Sequence, residues 1–122
     1  MAKVGKSARL KGHNFERELA NLFTEQTNLE WERSLQQTRT GGTVESDIYT
    51  ESLKETLHVE CKRHARVSIP AAMEQCKEDA PDKIHIAITK SDRQPIYVTM
   101  ELDDWMKMFK AWMKDESQSE TT

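Results

Sequence analysis

Apolar residues fall into short periodic runs separated by polar turns. Phe15, Leu19, Leu22 and Phe23 recur at helical spacing, which predicts a helix from about Asn14 to Gln26 with Asn14 as its N-cap. On that wheel Glu16 lies at the border of the apolar stripe, while Arg17 and Glu18 point away from it. Weak alternation from Trp31 to Gln37 predicts a first strand. Thr40-Gly41-Gly42-Thr43 then reads as a turn whose glycines permit close approach of a ligand, with Arg39 at its near edge. The stretch from Val44 to Arg66, VESDIYTESLKETLHVECKRHAR, reads as a β-hairpin with its turn centred between Leu53 and Lys54. Ser68 suits the N-cap of a second helix, whose stripe of Ile69, Ala72, Met73 and Cys76 ends near Asp79. Lys83 to Thr89 and Pro95 to Met100 read as two strands joined by a turn at Ser91-Asp92-Arg93-Gln94. Leu102, Trp105, Met106, Phe109, Trp112 and Met113 form a final helical stripe. Such a stripe belongs in a core; its tryptophans and methionines would also suit a contact between two chains.

The order helix, strand, hairpin, helix, two strands, helix predicts an α/β (α+β) domain with a mixed central β-sheet flanked by helices. A chain of 122 residues suits one domain. Residues 1–11 carry Lys3, Lys6, Arg9 and Lys11 with no acid and no apolar period, and read as a basic flexible arm. Residues 12–114 then form the folded domain, and 115–122 an acidic disordered tail. No window approaches the roughly 20 apolar residues of a membrane span, and the N-terminus has no signal-peptide pattern, so a cytoplasmic location is expected. Cys61 and Cys76 have no metal-ligand spacing and read as core thiols. The net charge of −3 argues against nucleic acid as a partner. Its distribution argues the other way: the arm and Lys62, Arg63, His64 and Arg66 are basic, and the acids collect late, so one face can present positive charge to phosphate.

The hairpin concentrates the chemistry. With the turn centred as above, Asp47 opposes Glu60, Ile48 opposes Val59 and Tyr49 opposes His58. Alternation then puts Asp47, Tyr49, His58, Glu60 and Lys62 on one face and Ile48, Val59 and Cys61 on the other. Opposed side chains sit about 4.5–5.5 Å apart at Cβ, and like charges so placed repel. A divalent cation between the carboxylates resolves that conflict. Asp47 and Glu60 supply hard oxygen ligands for Mg²⁺, with Mn²⁺ able to substitute, and the backbone carbonyl of Cys61 is a further ligand candidate. Glu16 can reach the same cation through a water. Lys62 is better suited to orienting water and neutralising charge on a phosphate than to abstracting a proton, because two carboxylates oppose lowering its pKa. Arg39 can clamp a phosphate oxygen through two donors, and His64 is either a phosphate contact or a second candidate base. The alternative is that Lys62 is only a salt-bridge partner for Glu60 or Asp47.

Asp47, Glu60-Cys61-Lys62 and the helical Glu16 resemble the PD-(D/E)xK nuclease superfamily. Lys11-Gly12-x-x-x-Glu16-Arg17-Glu18-Leu19 resembles the opening motif of archaeal-type Holliday junction resolvases and their phage relatives, as does Arg39 lying eight residues before Asp47. Ser46 stands where the motif often has proline. The resemblance covers Lys11 to Arg66 well and the later segments less specifically. It implies a restriction endonuclease-like core and a homodimer with Mg²⁺-dependent paired nicking of four-way DNA junctions. It also implies Arg17 as a backbone contact or site support, beside Lys11, Arg39, Arg63 and His64 on the DNA. Two rivals stand beside it: a nuclease of the same fold acting on duplex ends, flaps or specific sequences, and a non-catalytic DNA-binding module.

Overall fold

The computed structural model describes residues 2–35 and 45–120. Eight elements follow in order: α1 (Ala2–Thr27), β1 (Trp31–Arg33), β2 (Ile48–Thr50), β3 (Leu57–Arg63), α2 (Ile69–Asp79), β4 (Ile84–Lys90), β5 (Tyr97–Met100) and α3 (Leu102–Glu120). The strands form two sheets. β1 and β2 pair antiparallel, and β3-β4-β5 is mixed, with β3 parallel to β4 and β4 antiparallel to β5. The α/β expectation holds, with the sheet divided in two.

The core lies between α1 and the strands. Phe15, Leu19 and Ala20 are buried with Trp31, Ile48, Val59, Cys61 and Ile88 in one cluster. α1 ends where Asn28 takes a left-handed φ of 60°, a conformation asparagine tolerates after a helix. The chain then turns so that Trp31 donates its backbone N–H to Thr24 Oγ1 (2.9 Å) and its indole N–H to Thr27 Oγ1 (3.1 Å). The Trp31 ring stands edge-on to Phe23 at 4.9 Å. On the far side of β3 and β4, α2 buries Ala72 and Cys76 against Ala87. Ser68 caps α2 as expected, accepting from the Ala71 N–H at 3.2 Å. Both cysteines are free and buried.

Four expectations change. α1 begins at Ala2, so residues 2–11 are helical and Asn14 is an interior helical residue whose Oδ1 accepts from Arg17. Ala, Lys, Arg and Leu in that stretch are good helix formers, and helix needs no apolar stripe to propagate from an existing turn. α3 likewise continues to Glu120, so 115–120 is helical. β1 ends at Arg33, earlier than the alternation to Gln37 suggested. The final stripe is not core: Leu102, Trp105, Met106, Trp112 and Met113 are all exposed. Among the described residues no helix is long and apolar enough to cross a membrane.

Candidate active site

The site forms where β2 and β3 separate. The expected ladder between them is replaced by side-chain bridges. The Asp47 N–H donates to the Val59 carbonyl of the larger sheet (2.8 Å), and its own carbonyl accepts from the Ser34 N–H next to β1 (2.9 Å). The Cys61 N–H, which a regular ladder would place against backbone, donates instead to Asp47 Oδ2 at 2.7 Å. Ser46 does the same one residue earlier: its Oγ accepts from the Val59 N–H (3.1 Å) and donates to the Leu57 carbonyl (3.3 Å). Asp47 therefore lies against Val59 and Cys61, and is not directly opposite Glu60 in a hairpin pair. The division of faces on β3 survives, with Val59 and Cys61 in the core and Glu60 turned toward α2.

A cavity of about 290 Å³ opens at this seam, lined by Glu16, Asp47, Glu60, Cys61 and Lys62, together with Gln75 and Asp79. Thus Glu16 from α1, Asp47 from the start of β2, and Glu60, Cys61 and Lys62 from β3 share one space. Glu16 is buried while Glu18 is exposed, in line with their places on the wheel. Lys62 Nζ stands 3.8 Å from Glu60 Oε2.

Three neighbours, Arg33, Gln75 and Asp79, were not foreseen, and a fourth, His58, was expected only to share the polar face. Arg33 pairs with Glu16 through Nε at 2.9 Å, so the helix carboxylate is held by the end of β1. His58 is fully buried and its Nε2 lies 2.8 Å from Glu60 Oε1, an orienting contact where strand alternation implied only a shared face. Asp79 and Gln75 come from α2. His58, Glu60 and Asp79 offer ligand atoms within 4.8 Å of one another. Asp79 carried a sequence signal. It is an acid in the last turn of a helix, where the partial negative charge of the carbonyls disfavours it, and it is buried there. Such a local conflict is usual at functional positions. Arg33 and Gln75 carry no comparable signal.

The other expected residues lie outside the cavity. Arg63 Nη1 is engaged by the His64 carbonyl (2.9 Å) and Asp92 Oδ1 (2.8 Å), which fixes the end of β3 to the β4–β5 turn. His64 and Lys11 are exposed, and the charge of Lys11 acts on Asp92. Arg17 is exposed beside Asn14. Tyr49 turns to β1, donating its hydroxyl to Glu32 Oε2 at 3.1 Å. Arg39 and the Thr40-Gly41-Gly42-Thr43 turn fall outside the described residues.

The electrostatics show what the cavity lacks. Burial, the Glu60 charge and the Glu16 charge together push the Asp47 carboxyl up to about 8, despite the Cys61 N–H and Lys62. Burial also raises Glu60, but the His58 hydrogen bond and the Lys62 charge outweigh it and leave Glu60 below its ordinary value. Asp79 is raised by burial and by its hydrogen bond to Glu60. Several carboxylates face one small space in which, among the described residues, Lys62 is the one basic lining residue. Oxygen donors crowded this way fit a hard divalent cation, whose charge would let Asp47 and Glu60 ionise together.

A family profile described as phage putative PDDEXK endonuclease matches residues 7–122. The chain belongs to that family. The mixed α/β core is accordingly of the restriction endonuclease-like kind, and the family marks the chain as a nuclease of phage type. The match reaches beyond the Lys11–Arg66 stretch that carried the sequence resemblance and includes β4, β5 and α3. No curated protein and no solved structure matches the chain.

Proposed function

We propose that this endonuclease is structure-selective and hydrolyses phosphodiesters of four-way DNA junctions with Mg²⁺, or Mn²⁺ in its place, acting as a homodimer in the cytoplasm of a phage-infected cell. The observation that carries the chemistry is the convergence of Glu16, Asp47, Glu60 and Lys62 on one cavity. Asp47 and Glu60 would hold the cation, with the Cys61 carbonyl as a further ligand and Glu16 acting through a water. When bound, the cation supplies positive charge for the phosphate and acidifies water for attack. The protein's own groups do the rest. The Cys61 N–H fixes the Asp47 carboxylate. The His58 imidazole, with its proton on Nε2, fixes that of Glu60. Lys62 is partly exposed at the cavity and can orient the attacking water and meet charge building on the phosphate. Arg33 restrains Glu16 so that its carboxylate faces the cavity.

Junction choice rests on the resemblance of the Lys11–Leu19 motif. Lys11, Arg17, Arg39 and His64 are the candidate DNA contacts. Arg63 supports the same edge through its backbone and Asp92 contacts. The test is cleavage of a four-way junction beside a linear duplex of matching sequence, with and without Mg²⁺. Junction cleavage that requires the metal and is lost in Asp47→Asn is the expected result. Equal cutting of linear duplex would shift the reading to a general or end-directed nuclease of the same fold. Junction binding without hydrolysis would leave only a binding module.

A further inference from the structure

The molecule breaks the usual burial rule most openly along α3. Leu102 is 69% exposed, Trp105 44%, Trp112 57% and Met113 52%. With Met106 and Phe109 they lie within about 120° of one another on the helix. The stripe is already ordered for contact: the Trp105 and Phe109 rings stack at 4.8 Å, and Phe109 and Trp112 at 5.8 Å. A face of this size lies at the upper end of what a monomer exposes, and patches of that size are often functional.

We infer that α3 is the surface through which two copies of this chain pair, antiparallel and centred on Phe109. The stripe is nearly symmetric about that residue. Trp105 and Trp112 lie on one side of its midline, and Met106 and Met113 on the other. Rotating a second copy by half a turn through Phe109 brings Trp105 against Trp112 of the other copy, and Met106 against Met113. Each contact then occurs twice, as a closed two-fold interface requires. A parallel pair would also align the helix dipoles unfavourably.

The area agrees. A large side chain that is half exposed offers about 100 Å², so the stripe supplies roughly 500–600 Å² per copy, near the ~1,000 Å² total that a specific interface needs. Glu101, immediately before α3, ties the start of the helix to the domain through His85 Nδ1 (3.1 Å) and Lys77 (3.8 Å). The inference rests on the paired-cutting reading for its purpose and on the exposed stripe for its evidence.

Sedimentation of the full chain, without DNA or metal, tests it independently of any nuclease activity. A dimer at micromolar concentration is expected, and Trp112→Glu should weaken it about thirtyfold or more, the size of an aromatic hot spot. Circular dichroism of that variant should be unchanged, because the side chain is outside the core. A wild-type monomer across the micromolar range, or a Trp112→Glu dimer as tight as wild type, overturns the proposal. Orientation is tested by oxidising a mixture of Trp105→Cys and Trp112→Cys chains. Mixed crosslinks exceeding self-crosslinks support the antiparallel pair, and the reverse overturns it. A dimer that fails to cut junctions would refute the junction reading and leave the interface standing.

Discussion

The seam between β2 and β3 and the face of α3 are opposite departures from ordinary protein anatomy. At the seam, Glu16, Asp47, Glu60, His58 and Asp79 are buried. Along α3, tryptophans and methionines stand in water. Buried charge is tolerated only when something compensates it, and exposed apolar area persists only when something covers it. The two regions differ in how far the chain itself supplies the missing partner. At the seam, backbone N–H groups, a serine hydroxyl, an imidazole and a lysine satisfy much of the polarity, and the crowded carboxylates are the groups proposed to hold a cation. α3 supplies no cover of its own among the described residues. On the proposals above, the seam takes something small and charged, and the helix something large and apolar.

The sharpest way to break the comparison is Asp47→Asn. Metal-dependent cleavage should fall about a thousandfold or more, since several kcal/mol of charge stabilisation at the phosphate depends on the cation being held. Metal-free thermal stability should stay level or rise, because a neutral amide no longer opposes Glu60. A variant that loses both activity and fold would show that Asp47 is structural. Proton linkage gives the next largest effect. The Asp47 carboxyl is raised to about 8 in the metal-free protein. A raised acid stabilises the fold below its unfolded pKa and loses that contribution as pH climbs through the folded value. Metal-free stability should thus decline by on the order of a few kcal/mol between about pH 4 and pH 8. Glu60 is lowered and works the other way, losing its contribution as pH falls through the acid range. Added Mg²⁺ should stabilise increasingly toward pH 8, because it competes with the Asp47 proton. Melting curves over pH, with and without metal, check both signs. Asp79→Asn comes next: metal affinity by calorimetry should change by about tenfold to a hundredfold, the usual range for a group that orients a ligand. An unchanged affinity would make Asp79 a bystander.

How far the sequence disclosed these two regions follows from the range of the interactions involved. Glu60 and Lys62 were legible because strand alternation is local and sorts β3 into a core face and a polar face, whereas Asp47 was expected nearby but in a different register. Glu16 was legible from one turn of helix. The seam's supports were not. Ser46 and Arg33 act through contacts set by where β1 and β2 leave the larger sheet, and no periodicity encodes that; for His58 alternation gave the shared face but not the burial. Asp79 left one trace, an acid at a helix C-terminus, but its arrival at the seam depends on how α2 packs over β3 and β4. The stripe of α3 was read correctly as amphipathic and incorrectly as core, for a physical reason. Periodicity reports that one face avoids water, and it is silent on whether the covering surface belongs to the same chain. The helical arm shows the converse, since a segment without any stripe can still extend a helix that is anchored further on.

The smaller predictions separate the two regions by stability alone. Ser46→Ala removes the acceptor of the buried Val59 N–H and the donor to the Leu57 carbonyl. Leaving those backbone groups unpaired should reduce stability by about 1–2 kcal/mol, and the loss should loosen metal binding because the same seam positions Asp47. Met113→Gln is the matching change on α3. A buried methionine replaced by glutamine would lose several kcal/mol, but this one is already 52% exposed. In the monomer its effect should stay within about 0.5 kcal/mol, as for an ordinary surface substitution. Urea unfolding at low protein concentration measures that value. At high concentration, the same substitution should lower the midpoint further, because two copies bury the side chain that one copy exposes. A concentration-independent loss of several kcal/mol would instead place Met113 against its own chain, and the contrast between the seam and the helix would collapse.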